Sequence, residues 1–139
     1  MNDHLFVYGT LLSGIAPTAL AQLMSRLTYL GPASVPGRLY DLGLYPAAIP
    51  DAESAEAVRG ELYAIAPDVA ALSMLDNYEG HFPDLPARSL FRRIRVSATR
   101  SDGIAIAAWM YAWNRPANGA KQIAGGDYRA ARASQRTTG

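Results

Sequence analysis

LFVYGTLL, residues 5–12, contains the strand and the turn from which the rest of the chain can be read. Leu5 to Tyr8 form a short run of aliphatic, aromatic and β-branched residues closed by Gly9, the pattern of a buried strand. The Tyr-Gly-Thr sequence leaving that strand can present successive backbone N–H groups, and Gly9 permits close approach by a ligand. Such concavities bind anions, carboxylates included, although most turns of this composition are only turns. The lysine and glycine spacing of a P-loop is absent.

Outward from this turn, Pro17 opens a helical stretch to about Leu27, with Leu20, Leu23, Met24 and Leu27 at helical spacing. Val35 to Leu42 reads as a strand entered through a Pro-Gly turn. YPAAIP (45–50) is too proline-punctuated for a central strand and is expected as a loop or edge segment. Asp51 to Ala57 is a polar turn. Val58 to Ile65 is a further strand, with Gly60 a candidate bulge. Pro67 and Asp68 start a helix that runs to Tyr78 or Glu79 and is closed by Gly80. GHFPDLPARS (80–89) is a long connecting loop. Leu90–Thr99 and Ile104–Trp113 pair as a hairpin. Strands dominate and helices are too few for a regular alternating parallel sheet. The expected class is therefore α+β with a strongly curved or closed sheet.

The chain has 139 residues, half of them apolar and 18% charged, with a net charge of +1 and no cysteine. This is ordinary globular composition and fits one domain, expected over 1–128, with a disordered tail over 129–139. A net charge near zero leaves little room for a basic nucleic-acid or membrane face. Without cysteine there are no disulfides, thiolate nucleophiles or thiolate metal sites. The opening MNDHLFVYGTLL lacks a signal-peptide pattern, and no apolar stretch reaches membrane-spanning length. A cytoplasmic monomer is expected. His4 and His81 are the only histidines and neither has metal-ligand spacing, so no metal site is expected. No serine sits in a G-x-S-x-G elbow. The strand aromatics, Tyr40, Tyr45, Tyr63, Trp109, Tyr111 and Trp113, default to core packing.

The helix before Gly80 carries an anomaly. Val69, Leu72 and Leu75 form its apolar stripe, and Glu79, four residues after Leu75, continues the same face. A carboxylate on a core-facing stripe is costly unless paired or protonated. The negative end of the helix dipole lies there too, so burial and dipole both raise the pKa of Glu79. Against this, Glu79 can fray outward or pair with Arg88, Arg92, Arg93 or Arg95. Asp76, four residues after Leu72, lies on the same stripe, and periodicity does not separate the two carboxylates.

Taken in order, FVYGTLL (6–12), GRLYDLGLYPA (37–47), VRGELYAI (58–65), LDNYEG (75–80), FRRIRV (91–96), AWMYAW (108–113) and IAGGDY (123–128) resemble the gamma-glutamyl cyclotransferase-like family, in its gamma-glutamylamine branch. The resemblance implies a small mixed β-barrel flanked by a few helices. It also implies that Tyr8, Gly9, Thr10 and Leu11 form the substrate-binding loop, with Glu79 the catalytic carboxylate and Tyr111 an aromatic residue bordering the cavity. Phe91 departs from the pattern, since many relatives carry tyrosine there.

The implied partner is a small gamma-glutamyl amine or peptide, cyclised to 5-oxoproline with release of the amine or amino acid. Glu79 would move the protons, and no cofactor is called for. Residues in the Gly80–Ser89 loop and near Tyr45 and Pro46 would read the leaving side. The alternative is a non-catalytic small-metabolite binding domain of the same fold. A domain that serves mainly as structure or as a partner-binding surface is a third reading.

Overall fold

The computed structural model describes residues 3–43, 45–66, 71–79, 89–116 and 119–138. The elements run β1 (Asp3–Val7), α1 (Thr18–Met24), β2 (Thr28–Asp41), β3 (Pro46–Pro50), β4 (Ala57–Ile65), α2 (Ala71–Glu79), β5 (Phe91–Arg100), β6 (Ala105–Trp113) and β7 (Lys121–Gln122). A 3₁₀ turn at Ala124–Gly126 then leads into α3 (Tyr128–Thr138).

Five strands close on themselves in the order β2-β4-β1-β6-β5, and β5 returns to β2 through Ala33 and Ser34. Every neighbouring pair in the ring is antiparallel except β1 and β6, which run parallel with Leu5 beside Trp109. The result is the expected closed mixed barrel of an α+β fold. Leu5, Phe6, Leu62, Met110, Val58 and Leu39 in its core are all almost fully buried. Each such side chain contributes roughly 1.5–3 kcal/mol of burial free energy, which explains why the LFVYG run sits at the centre.

β2 is longer than its sequence suggests. Its first half pairs with β4 from Thr28, and its last residues, Gly37–Asp41, pair with β3. Pro36 and Gly37 therefore do not form a turn; they lie inside the strand where it changes partner. Pro36 has no N–H to lose from a ladder there, and the Gly37 N–H is taken by the Glu56 carbonyl at 3.0 Å. Gly60, expected as a bulge, pairs in register with Ala33, and the irregularity of this ladder lies on β2 between Tyr29 and Gly31, opposite Tyr63 and Leu62. β3 is the edge segment anticipated for YPAAIP, and the β5–β6 hairpin pairs from Phe91↔Trp113 to Thr99↔Ala105.

Residues 128–138 form α3, where the sequence suggested a disordered tail from 129. Its first turn is tied down by Arg129, whose guanidinium reaches Ser13 and Glu61. Sequence composition carries no sign of this, because both partners are distant along the chain. The expected start of α2 at Pro67 and Asp68, its closure at Gly80 and most of the 80–89 loop lie outside the described residues. Among the described residues no helix is long and apolar enough to cross a membrane.

Candidate active site

β1 delivers its last residues to one mouth of the barrel, where the chain turns sharply: the Leu12 N–H bonds back to the Gly9 carbonyl at 3.0 Å. Gly9 is required by packing. A Cβ there would lie 2.6 Å from Pro46 Cγ, so the turn rests directly on the start of β3. The close approach that glycine allows is thus to Pro46 as well as to anything in the cavity.

Beside the turn is a cavity of about 350 Å³, towards the lower end of the roughly 300–1,000 Å³ typical of small-molecule pockets. Tyr8, Gly9, Thr10 and Leu11 line one wall. Tyr78 and Glu79 from α2 and Tyr111 from β6 line another. Tyr45, Pro46, Leu90 and Phe91 complete it. All six residues singled out from the sequence, Tyr8, Gly9, Thr10, Leu11, Glu79 and Tyr111, therefore border one cavity. No lysine, arginine or histidine is among the described residues that line it.

α2 places Glu79 there because its apolar stripe docks on the barrel: Leu75 is fully buried and Leu72 packs against the core. One turn beyond Leu75 the same face meets the cavity, and Glu79 is half-buried on its wall. Burial pushes its carboxyl from 4.5 up to about 7, because removing water disfavours the charged form. Among the described residues Glu79 has no ion pair. Arg93 is held by Asp76 at 3.2 Å and Arg95 lies 3.9 Å from Asp3. Both guanidiniums stack over Trp109. Arg92 is exposed, and Arg88 lies outside the described residues.

Asp76 has a different environment. It accepts the Tyr111 hydroxyl at 2.6 Å and the Arg93 contact, which ties α2 to β5 and β6. The two carboxylates that periodicity left equivalent are thus separated by their partners.

The phenols on the wall are committed donors. Tyr8 gives its O–H to the Tyr111 carbonyl at 2.5 Å. Burial pushes the Tyr8 pKa far up, and the nearby Glu79 charge adds to this. Tyr111 is likewise raised, first by burial and then by its bond to Asp76. Both stay protonated and serve as fixed walls instead of proton carriers. At the rim, Thr10 Oγ1 and the Tyr78 hydroxyl share a 2.9 Å hydrogen bond that joins the turn to α2.

Two features escaped the sequence. The sequence assigns Tyr78 only to the helix, four residues after the exposed Met74, and the structure sets it beside Glu79 on the cavity wall. The sequence places Glu61 in a strand without singling it out, yet it is only 5% exposed. Its alternation with the apolar Tyr63 and Ile65 was the available signal. Phe91 packs edge-on to Trp113 with ring centroids 5.2 Å apart.

Comparison with known proteins agrees with this fold. Residues 5–130 match the family described as gamma-glutamyl cyclotransferase, AIG2-like. The chain is 34% identical over 126 residues to the gamma-glutamylcyclotransferase family protein YtfP of Escherichia coli K12, covering 90% of this chain and 95% of that one. Its fold superposes on Bacillus subtilis YkqA with a TM-score of 0.74 at 22% identity, over 99% of this chain but 43% of that longer one. It also matches an AIG2-like protein from Mus musculus with a TM-score of 0.60 at 21% identity, over 80% of this chain and 76% of that one. The chain belongs to the gamma-glutamyl cyclotransferase, AIG2-like family.

Proposed function

We propose that the protein cyclises a gamma-glutamyl amine or peptide to 5-oxoproline, with Glu79 as the proton-transfer group. The observation that carries this is the meeting of the Tyr8–Leu11 turn and a carboxyl with a pKa of about 7 in one cavity without a cationic partner among the described residues. A carboxyl so poised can both accept and return a proton near neutral pH.

In the reaction, Glu79 takes a proton from the substrate's α-ammonium. The freed amine attacks the side-chain amide carbon and closes a five-membered ring. Collapse of the tetrahedral intermediate breaks the original amide C–N bond as protonated Glu79 returns its proton to the leaving nitrogen, and the second proton shed by the ring nitrogen ends on the released amine, which departs as an ammonium. Both reacting groups belong to one molecule, so holding the folded conformer is equivalent to an effective molarity of roughly 10⁵ M or more. Proton transfer by Glu79 adds ~10²–10⁴-fold. Backbone N–H groups of the turn hold the α-carboxylate or the developing oxyanion. Tyr45, Pro46 and the apolar rim face the leaving side.

The test is mass-spectrometric detection of 5-oxoproline after incubation with a panel of gamma-glutamyl amines and peptides, with Glu79→Gln in parallel. Release by the wild type and not by the variant is expected. Binding without release from any panel member would replace the enzyme with a metabolite-binding module.

A further inference from the structure

The turn carrying Tyr8 to Leu11 is held at both ends by one residue of β4. Upstream, Val7 is the antiparallel partner of Glu61, the last pair of the β1–β4 ladder. Gly60 makes that approach possible, since a Cβ there would fall 2.0 Å from the Val7 carbonyl oxygen. Downstream, Ser13 gives its N–H to Glu61 Oε1 at 2.9 Å and its hydroxyl to Oε2 at 2.8 Å. Main chain grips one end of the turn and side chain the other.

A carboxylate as buried as Glu61 needs every partner it can find. Tyr63 donates its hydroxyl at 3.2 Å, and the guanidinium of Arg129 lies 3.4 Å away. Arg129 does more than balance charge: its Nη2 also donates to the Ser13 carbonyl at 2.5 Å. The first turn of α3 is thereby fastened to the residue that ends the substrate turn. Glu61 and Arg129 do not border the cavity, so their side chains act on the site through Ser13.

We infer that Glu61 and Arg129 are positioning residues for the Tyr8–Leu11 turn, and that α3 is a brace of the site. This rests on the proposed reading of that turn as the substrate-binding element. A merely structural ion pair would stabilise the whole barrel; a positioning clip acts on the turn alone.

The experiment uses the full chain as wild type, Arg129→Ala and Glu61→Gln. Amide hydrogen exchange is compared between residues 9–13 and strands β4 and β6, alongside kcat and KM for 5-oxoproline release from gamma-glutamyl-n-butylamide. In Arg129→Ala, Leu12 and Ser13 amides are expected to exchange about tenfold faster while β4 and β6 amides do not change. KM should rise roughly fivefold, the equivalent of one net hydrogen bond, with kcat within about twofold. Arg129 is half-exposed, so this variant keeps the inference testable even where Glu61→Gln fails to fold. Unchanged exchange at 9–13, or acceleration of all amides together, overturns the inference. A wild type without turnover counts against the proposed reaction and leaves the exchange result to decide the clip.

Discussion

Tyr111 donates its hydroxyl to Asp76 at 2.6 Å, and that bond separates the two carboxylates on the inner face of α2. Asp76 is engaged by Tyr111 and Arg93, while Glu79, one turn on, faces a cavity without a cationic partner among the described residues. One acidic residue fixes the helix, which leaves the other available for chemistry.

Asp76→Ala should therefore destabilise without changing the proton chemistry. It removes the Asp76 acceptor from the Tyr111 hydroxyl and the Arg93 guanidinium in a partly buried place, at a cost of roughly 1–3 kcal/mol. Thermal unfolding measures that cost. The pH dependence of whatever turnover remains should keep the wild-type midpoint; a displaced midpoint would move the proton-transfer role towards Asp76.

The acid limb of kcat/KM should follow Glu79. The carboxylate must be ionised to accept the ammonium proton, so activity rises with pH through about 7. A profile flat from pH ~5 to ~8, far above the ordinary carboxyl range, would remove Glu79 from that step.

Stability should have the opposite dependence. The folded pKa of Glu79 is raised from 4.5 to about 7, so the native state holds this proton more tightly than the unfolded chain. Its stabilising effect is complete below pH 4.5, declines between 4.5 and about 7, and is lost above that. The loss is at most about 3 kcal/mol at 1.36 kcal/mol per unit. Glu79→Gln should unfold at a higher temperature than wild type at alkaline pH, and the difference should vanish in acid. Equal midpoints across the range would mean the carboxyl is solvated in the folded protein.

Gly9→Ala should displace the turn. Its new methyl meets Pro46 Cγ at 2.6 Å, and overpacking of this kind costs roughly 1–3 kcal/mol. Pro46→Ala in the same chain should recover part of the loss, and a double-mutant cycle reads the coupling. Additive effects would show that the turn does not rest on Pro46.

Thr10→Ala and Tyr78→Phe each break the hydrogen bond across the cavity rim. Each should weaken substrate binding by several-fold, on the order of 1 kcal/mol, and the double variant should be no worse than either single one. Thr10→Ser should retain affinity. Calorimetric titration of the purified variants checks all four, and independent losses would mean that the two hydroxyls act separately.

The order of the main strands and helices from β1 to β6, the burial of the LFVYG strand and the position of Glu79 on an apolar helix face were legible in the sequence. They follow from local periodicity, which fixes the face of an element that each residue occupies. The same periodicity misjudged Pro36–Gly37, because a strand that changes partners midway has the composition of a turn. It also missed α3, a polar helix whose first turn is fastened through contacts 116 residues apart in the chain. What stands opposite a face was decided only by the tertiary structure. The closed barrel brings Pro46 against Gly9, Tyr111 to Asp76 and Glu61 to Ser13. A hydrogen bond between residues far apart leaves no periodic trace in either segment, so periodicity left two carboxyls on one helix face and folding gave each its surroundings.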